Sequence, residues 1–401
     1  MRILCVSGRD AAQACLVVGL MVGLCAWAGN AQPADWPCYR GPNRNGVTDE
    51  IGWTASWDGE PKILWRAEVG QGFSGFAVAG GRAYTMGGKK GTDTVYCFDA
   101  ETGKAVWSRS YTCPDGEYAG PRCTPTVDGK YVYTLSRGGH LNCFDAATGK
   151  VVWATTVSSK PPRWGFASSP FLFGSLVIVN VGVSGQAFNK TTGKPAWSST
   201  GQAGYATPVA FQKGTKTALL MFSSKSLVTV NPTTGSKGWE FPWQTEYDVN
   251  AADPVVAGDQ VFISSGYDAG CALLSLASDG PKVVWRNKNM RNHHGSTVLY
   301  KGALYGFDES TLRCLDLKTG EVKWSQGGLG KATLIIADGK LVILSENGAL
   351  VIAEASPESF KELARAQVVR GHCWTAPVLA NGRIYCRTDG GSVACVDVSG
   401  K

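Results

Sequence analysis

The chain is patterned in short apolar runs and shows no extended helical period. Runs of strand length occur at residues 131–134, 177–180 and 341–344, and each is bounded by Gly or Asp. Their β-branched and aromatic content is typical of buried strands. No stretch after residue 31 is long and apolar enough to span a membrane. The pattern predicts an all-β chain built from many short strands.

One phrase recurs between these strands. It consists of Asp or Asn, then Thr-Gly-Lys or a close variant, then a tryptophan. Its copies are residues 99–107, 145–153, 189–197, 231–239 and 316–324, and a degenerate copy lies at 278–285. Asp and Asn can hydrogen-bond the backbone two residues on, and Gly accepts a positive φ. The phrase therefore predicts a hairpin turn followed by a strand that carries the tryptophan.

The tryptophans define the repeat length. With one earlier copy, the repeating positions are Trp65, Trp107, Trp153, Trp197, Trp239, Trp285 and Trp324, which are 39–46 residues apart. A period in the low forties with strand-like content is typical of a β-propeller blade. An indole ring wedged between blades buries well over about 100 Å². We interpret all seven as structural docking residues in the core between blades.

The two ends of the chain complement each other. Residues 62–65 form an outer strand with no inner strands before it, whereas residues 375–396 supply three inner strands with no outer strand. Joining them removes two exposed sheet edges. The sequence thus predicts an eight-bladed β-propeller of four-stranded antiparallel blades, closed by the N-terminal strand joining the C-terminal blade. In the irregular seventh blade, Phe360 or Leu363 is expected where the tryptophan would be.

The chain divides into three parts. Residues 1–31 read as a secretory signal peptide, with basic Arg2 and Arg9, an apolar stretch and small residues before Gln32; an uncut membrane anchor is the alternative. Residues 32–60 form an N-terminal entry segment, and residues 61–401 form the eight-bladed propeller. The leader predicts a periplasmic or secreted location.

Cysteine positions and charge narrow the picture further. Four cysteines occupy one place in four blades and are expected to be buried small hydrophobes, too far apart to pair: Cys97, Cys143, Cys314 and Cys395. Others could include a disulfide, with the pairing left open: Cys38, Cys113, Cys123, Cys271, Cys373 and Cys386. The net charge of +7 is mild and there is no Lys/Arg run, so nucleic-acid binding is not indicated.

The repeated phrase resembles the PQQ-like, or quinoprotein alcohol dehydrogenase-like, β-propeller repeat over about residues 60–401. Residues 36–46 are similar to segments that lead into secreted members. Length, leader and compact blades most resemble the BamB-type branch, and this resemblance implies a non-catalytic periplasmic scaffold for outer-membrane protein assembly. The dehydrogenase branch would need cations for the quinone carboxylates, oxygen ligands for Ca²⁺ and an Asp base. This sequence lacks the adjacent cysteine pair and the long insertions of that branch.

The loops before the inner strands open on one face of the ring, near its axis, where propellers bind ligands or partners. The predicted ligand- or partner-binding residues at this mouth are Arg122, Arg163, Trp164, Tyr205, Asp248, Asn250, His293, His294, His372 and Trp374. Arg163 with Trp164 could hold an anionic aromatic ligand or form a protein-binding hot spot. Asp248 and Asn250 could point two oxygens one way, as Ca²⁺ requires. A merely solvated rim is the alternative.

The sequence favours a binding or assembly scaffold with no catalytic residues, no resident cofactor or metal, and a protein partner in the cell envelope. A PQQ-dependent oxidoreductase with PQQ and Ca²⁺ at the mouth is the first alternative. An extracellular glycan-binding protein, with a small-molecule ligand among the aromatic and polar mouth residues, is the second.

Overall fold

The computed structural model describes residues 34–277 and 280–400, and the predicted signal peptide lies outside them. Eight four-stranded sheets are arranged as the blades of a propeller, which confirms the predicted fold class. Within each blade, neighbouring strands are antiparallel. The described residues contain no helix that could cross a membrane.

The strands of blades 1 to 4 have the following bounds. Blade 1 contains β3 (Ala77–Ala79), β4 (Arg82–Lys89), β5 (Thr92–Asp99) and β6 (Ala105–Thr112). Blade 2 contains β7 (Thr126–Asp128), β8 (Tyr131–Leu135), β9 (His140–Asp145) and β10 (Val151–Thr156). Blade 3 contains β11 (Phe171–Phe173), β12 (Leu176–Val179), β13 (Gln186–Asn189) and β14 (Pro195–Ser198). Blade 4 contains β15 (Val209–Lys213), β16 (Lys216–Phe222), β17 (Ser226–Val230) and β18 (Lys237–Pro242).

The remaining blades follow the same order. Blade 5 contains β19 (Val255–Ala257), β20 (Gln260–Ser265), β21 (Gly270–Ala277) and β22 (Gly280–Asn287). Blade 6 contains β23 (Val298–Tyr300), β24 (Ala303–Asp308), β25 (Thr311–Asp316) and β26 (Val322–Gln326). Blade 7 contains β27 (Thr333–Ala337), β28 (Lys340–Leu344), β29 (Ala349–Glu354) and β30 (Glu362–Gln367). Blade 8 contains β31 (Val378–Ala380), β32 (Arg383–Arg387), β33 (Ser392–Asp397) and the N-terminal β2 (Ile63–Glu68).

The ring is closed between the two ends of the chain, as predicted. Strand β2 pairs antiparallel with β33, and Trp65 lies opposite Cys395. The fully buried Arg387 fastens blade 8 to blade 1, since its guanidinium donates to the carbonyls of Ser74, Met86 and Gly72 at 2.7–3.0 Å. The ring is therefore closed in two ways: by strand pairing within blade 8, and by a buried arginine that bonds blade 8 to blade 1.

The repeated tryptophans dock onto the turn of the next blade. Trp107 donates from Nε1 to the carbonyl of Ala146 at 2.9 Å, and its ring lies against Gly149, where an added Cβ would be 2.5 Å from the ring. Equivalent donor–acceptor pairs, at 2.9–3.2 Å, are Trp65 to Ala100, Trp153 to Lys190, Trp197 to Pro232, Trp285 to Leu317 and Trp324 to Ser356. Trp239 packs on the core that blades 4 and 5 share. The glycine of the phrase is thus needed for docking as well as for the turn.

The acidic residue of the phrase holds the turn in shape. Asp99 accepts, through Oδ1, hydrogen bonds from the backbone N–H and the hydroxyl of Thr102 at 2.9 and 2.8 Å. These bonds from Thr102 lower the pKa of Asp99. Asp145 and Thr148 repeat the arrangement in blade 2. The turn is therefore closed by local hydrogen bonds, as the Asx chemistry of the sequence predicts.

Blade 7 corrects one expectation. In the ladder between β29 and β30, Ala364 lies opposite Ile352 beside the register shift, the place that tryptophan has in the other blades. Phe360 instead packs edge-on against Trp324 of blade 6, with ring centroids 5.8 Å apart. The expectation that Phe360 or Leu363 replaces the tryptophan was wrong, because the longer turn of blade 7 moves the equivalent position to Ala364.

The cysteines are buried and unpaired. Cys97, Cys143, Cys314 and Cys395 are each 0% exposed in the blade cores, as expected. Every one of the ten cysteines in the described part of the chain carries a free thiol. The disulfide that the sequence left open is therefore not formed among them.

The N-terminal segment crosses one end of the central channel. Trp36 exchanges backbone hydrogen bonds with Val78 of blade 1, and β1 (Val47–Thr48) adds as a parallel strand to β27 of blade 7. Between them, Arg40 donates to the carbonyl of Thr297 in blade 6 at 2.9 Å. Beyond β1, Glu50 accepts the N–H groups of blade 8 at residues 381 and 382. The segment covers the channel where the inner strands end.

Candidate functional site

A cavity of about 280 Å³ lies on the propeller axis, between the N-terminal segment and the mouth. Trp36, Tyr39 and Arg40 form its floor, and the residues just before the inner strands of the blades form its wall. Burial raises the pKa of Tyr39 to about 12, so this phenol stays protonated at the floor. Because the segment covers one end, the channel becomes a pocket with one opening, a form common in small-molecule sites.

Aromatic rings surround the mouth in near-continuous contact. Phe73 stacks on Trp374 with ring centroids 6.0 Å apart, and Trp374 also lies 6.0 Å from Tyr118. On the opposite side, the ring of Trp164 lies 6.0 Å from that of Tyr205. All five line the cavity. The structure thus brings Trp164, Tyr205 and Trp374 together at the mouth, with Phe73 and Tyr118 beside them.

The adjacent histidines stack with Trp374. The ring of His294 lies between those of His293 and Trp374, at centroid distances of 4.1 and 4.0 Å. Burial lowers the pKa of His294 well below its ordinary value, and its shielded Nε2 has no hydrogen-bond partner among the described residues. Both histidines line the cavity, but their parallel rings are a wall and do not converge as a metal pair would.

Both ring nitrogens of His293 have polar neighbours. Its Nδ1 lies 2.7 Å from Nζ of Lys331 and 3.4 Å from a carboxylate oxygen of Glu309, and Nε2 faces the hydroxyl of Tyr267 at 3.1 Å. Burial and then the charge of Lys331 lower the pKa of His293. Its neighbours therefore orient the imidazole, and burial disfavours its charged form.

His372 positions the mouth from behind. Its Nδ1 lies 2.7 Å from Asp389 and its Nε2 3.1 Å from Glu346. Glu346 also accepts the indole N–H of Trp374 at 3.2 Å. His372 is absent from the described cavity wall, so its contribution is to fix Trp374 through a shared carboxylate.

The two arginines differ in exposure. Arg122 lines the cavity over the ring of Phe73 at 5.3 Å, donates to three backbone carbonyls at residues 117, 118 and 120, and has a pKa lowered by burial to about 10. Arg163 stands on the rim over Trp164 at 4.9 Å and over Tyr247 at 6.0 Å. Arg163 thus belongs to the outer surface and Arg122 to the pocket.

Asp248 and Asn250, like Arg163 and His372, lie outside the cavity wall. Asn250 is fully buried, donates from Nδ2 to the carbonyls of Ser223 and Ser224, and accepts the hydroxyl of Ser265 at 2.6 Å. Asp248 has φ +56° and pairs with Lys225 at 3.5 Å. Their oxygens do not share a site, and no cluster of three or more His, Cys, Asp or Glu placed to hold a metal occurs among residues 34–277 and 280–400.

A belt of polar side chains below the mouth links one blade to the next. The backbone N–H of Thr124 donates to Ser169 at 2.9 Å, that of Ser169 to Thr207 at 3.1 Å, and that of Thr207 to Asp253 at 2.8 Å. The backbone N–H of Asp253 continues the series by donating to the hydroxyl of Ser296 at 2.9 Å. Thr124, Ser169 and Thr207 were not among the predicted site residues, and each directly precedes a proline. Their place before Pro in successive repeats was the available signal that they share one level of the cavity wall.

Asp253 is the carboxylate of this belt. It is 5% exposed, lines the cavity and lies close to Arg40 and Tyr39. Burial raises its pKa to about 6, against the opposing influence of Arg40. A carboxylate with a raised pKa facing a cavity is a group that a ligand can engage.

Comparisons with known proteins place this geometry in context. BamB from Moraxella catarrhalis is 16% identical, with a TM-score of 0.64 over 84% of this chain and 98% of that one. Quinohemoprotein alcohol dehydrogenase from Comamonas testosteroni is 14% identical, with a TM-score of 0.70 over 92% of this chain and 81% of that one. The computationally designed Ika8 protein is 12% identical, with a TM-score of 0.60 over 85% of this chain and 100% of that one. At these identities the likeness shows the fold alone.

The sequence comparison is more specific. No curated protein matches this chain. The model of a family described as outer membrane protein assembly factor BamB matches residues 47–116 and 115–326. This match covers most of the propeller, including the repeated turns and docking tryptophans of blades 1 to 6. The chain therefore belongs to the family of the outer membrane protein assembly factor BamB.

Proposed function

We propose that this protein is a non-catalytic binding scaffold of the cell envelope that holds a protein partner on the rim of its mouth. The observation that carries the proposal is an exposed cation–aromatic cluster. Arg163 lies over the rings of Trp164 and Tyr247, and Tyr247 and Tyr118 are 46% and 52% exposed. Trp, Tyr and Arg are the residues that most often dominate binding energy at protein interfaces.

Family and sequence support this location and role. The family description names an assembly factor for outer-membrane proteins, and the first 31 residues read as a secretory leader. The rim side chains also contact one another, since Arg163 pairs with Glu117 at 3.7 Å and Tyr247 packs on Tyr267 at 5.1 Å. A pre-organised aromatic surface loses little side-chain entropy when a partner binds.

The test is chemical crosslinking of the purified protein to envelope proteins, with identification of the captured chain and measurement of its affinity. Arg163→Ala combined with Tyr247→Ala should weaken binding by at least about tenfold, or about 1.4 kcal/mol. The matched control is Lys130→Ala with Tyr131→Ala, a cation–aromatic pair with a separation of 5.2 Å at the opposite end of the inner strands. Equal binding by the wild type and the rim double variant would refute the choice of face.

The quinone-dependent alternative makes a separate prediction. Arg40 and Arg122 are the lining arginines, and both already donate to backbone carbonyls, while Asp253 would repel a carboxylated quinone. We therefore expect that pyrroloquinoline quinone with Ca²⁺ leaves the melting temperature unchanged. A ligand that binds only the native state must raise it by mass action. A saturable rise would replace the scaffold proposal by an oxidoreductase and call for a screen of alcohol and sugar substrates.

A further inference from the structure

The cavity below the mouth offers a site that the scaffold role does not use. Its volume of about 280 Å³ is close to the lower end of the roughly 300–1,000 Å³ typical of small-ligand sites. The floor residues Trp36 and Tyr39 prevent a chain from threading through the ring. The space therefore suits one ring-sized molecule, or the terminal unit of a longer one, entering from the mouth.

The upper wall is aromatic. Trp374 and Phe73 are stacked at an interplanar angle of 25°, and Tyr205 is 8% exposed. These rings give the upper wall a continuous apolar surface that can pack on the C–H groups of a saturated ring. His372, through Glu346, holds Trp374 in place before any ligand arrives. The upper wall therefore favours a ligand with a flat apolar face.

The lower wall supplies unused hydroxyl protons. The hydroxyls of Thr124, Ser169 and Thr207 each accept one backbone N–H from the preceding blade. A hydroxyl also has one proton to donate. Within the described residues none of these three protons has an acceptor, and all three side chains line the cavity. A ligand bearing several oxygens would satisfy them.

Asp253 supplies the complementary acceptor. Its Oδ1 receives the N–H of Thr207 at 2.8 Å, and no donor in the described part of the chain bonds its Oδ2. A carboxylate oxygen is the strong acceptor that a ligand hydroxyl would use. Three donors and one carboxylate on one level of the wall match a molecule whose hydroxyl groups both donate and accept.

The charges of the wall select against ions. A cation would meet Arg40 and Arg122, and an anion would meet Asp253. The Arg40 guanidinium uses one terminal nitrogen to donate to the carbonyls of Asn45 and Thr297, each at 2.9 Å. A neutral ligand avoids both penalties.

We propose that the axial cavity binds one neutral pyranose ring. The apolar face of the sugar packs against Trp374 and Phe73, and its hydroxyls bond Asp253 and the three belt hydroxyls. A free monosaccharide and the non-reducing end of a glycan present the same ring, so both are sources of this ligand. The two proposals can be tested separately, because Arg163 and Tyr247 lie outside the cavity wall.

The experiment is isothermal titration calorimetry and saturation-transfer NMR with glucose, galactose, mannose and N-acetylglucosamine, together with an array of glycans that end in these sugars. We expect saturable binding of at least one of them. Asp253→Asn keeps the acceptor for the Thr207 N–H but loses the charge, and should weaken binding by at least about tenfold. The matched control is Asp93→Asn, a carboxyl that is 1% exposed, has a pKa raised to about 6 and lies outside the cavity.

Each outcome is decisive. Binding of the free sugars supports a soluble monosaccharide, and binding on the array alone supports a glycan terminus. Equal weakening by Asp253→Asn and Asp93→Asn would place the sugar elsewhere and overturn the assignment. The assignment would also be overturned if none of these sugars bound in either format. Binding of only the charged sugars glucuronate or glucosamine, titrated in the same way, would overturn it too. Loss of partner crosslinking in the rim double variant with sugar binding intact separates the two proposals.

Discussion

Replacing Gly149 by alanine should show how much stability the docking of one tryptophan contributes. Gly149 has φ +69°, and a Cβ there would lie 2.5 Å from Cδ2 of Trp107. The left-handed backbone costs a non-glycine residue about 1–2 kcal/mol, and overpacking a tight contact costs about 1–3 kcal/mol more. We therefore expect Gly149→Ala to lower the free energy of unfolding by about 2–5 kcal/mol.

The matched control is Gly129→Ala in the same blade. Gly129 has φ +55°, but an added Cβ would have no atom within 4 Å. This variant should lose only the backbone contribution of about 1–2 kcal/mol. Urea unfolding of both variants, at equal dependence on denaturant, measures the difference. Equal losses would mean that the ring moves aside at no cost and would refute the docking argument.

A double-mutant cycle adds a second check. Trp107→Leu removes the ring and the hydrogen bond to Ala146, and by itself should destabilise the protein. In that background Gly149→Ala no longer meets the indole, so its cost should fall towards that of Gly129→Ala. A coupling energy of at least about 1 kcal/mol is expected for residues in direct contact. Additive losses would contradict the contact.

Three further predictions concern buried charges. Burial raises the pKa of Asp253 from 3.8 to about 6, so its stabilising contribution is complete below pH 3.8 and lost as pH rises through 6. Relative to the wild type, Asp253→Asn should gain up to about 3 kcal/mol between about pH 4 and about pH 7, and parallel stability–pH curves would contradict this. Arg387→Met should cost about 3–5 kcal/mol in urea unfolding, whereas Arg365→Met on an outer strand should cost under about 1 kcal/mol. Glu50→Gln should lose about 1–3 kcal/mol and speed proteolysis of the N-terminal segment; an unchanged cleavage rate would show that Glu50 does not anchor it.

The repeated turn and tryptophan could be read directly from the sequence because their physics is local or periodic. An Asx residue, a threonine and a glycine close a turn within five residues, as Asp99, Thr102 and Gly103 do. The tryptophan recurs at the blade period, so one interblade contact implies the rest. The same reasoning failed in blade 7, where an atypical turn shifts the register and leaves Ala364 in the tryptophan position.

The candidate site could be predicted only in part. The predicted mouth residues that line the cavity are Arg122, Trp164, Tyr205, His293, His294 and Trp374, and their role in binding stays a prediction. Loop sequence does not, however, decide which way each side chain points. Asn250 turns inward to bond Ser265 and two carbonyls, and His372 turns to two carboxylates behind the mouth.

The sequence by itself determined the number of blades, their strand order and the way the ring closes, because each depends on repeat spacing, turn chemistry and unpaired strand edges. Only the tertiary structure decided that the N-terminal segment covers the channel, and that Thr124, Ser169, Thr207 and Asp253 stand on one level of its wall. Neighbouring members of this set are 38–46 positions apart in the chain. They meet because eight blades converge on one axis; the repeated position before proline shows that they are equivalent, but not that a covered cavity lies beside them.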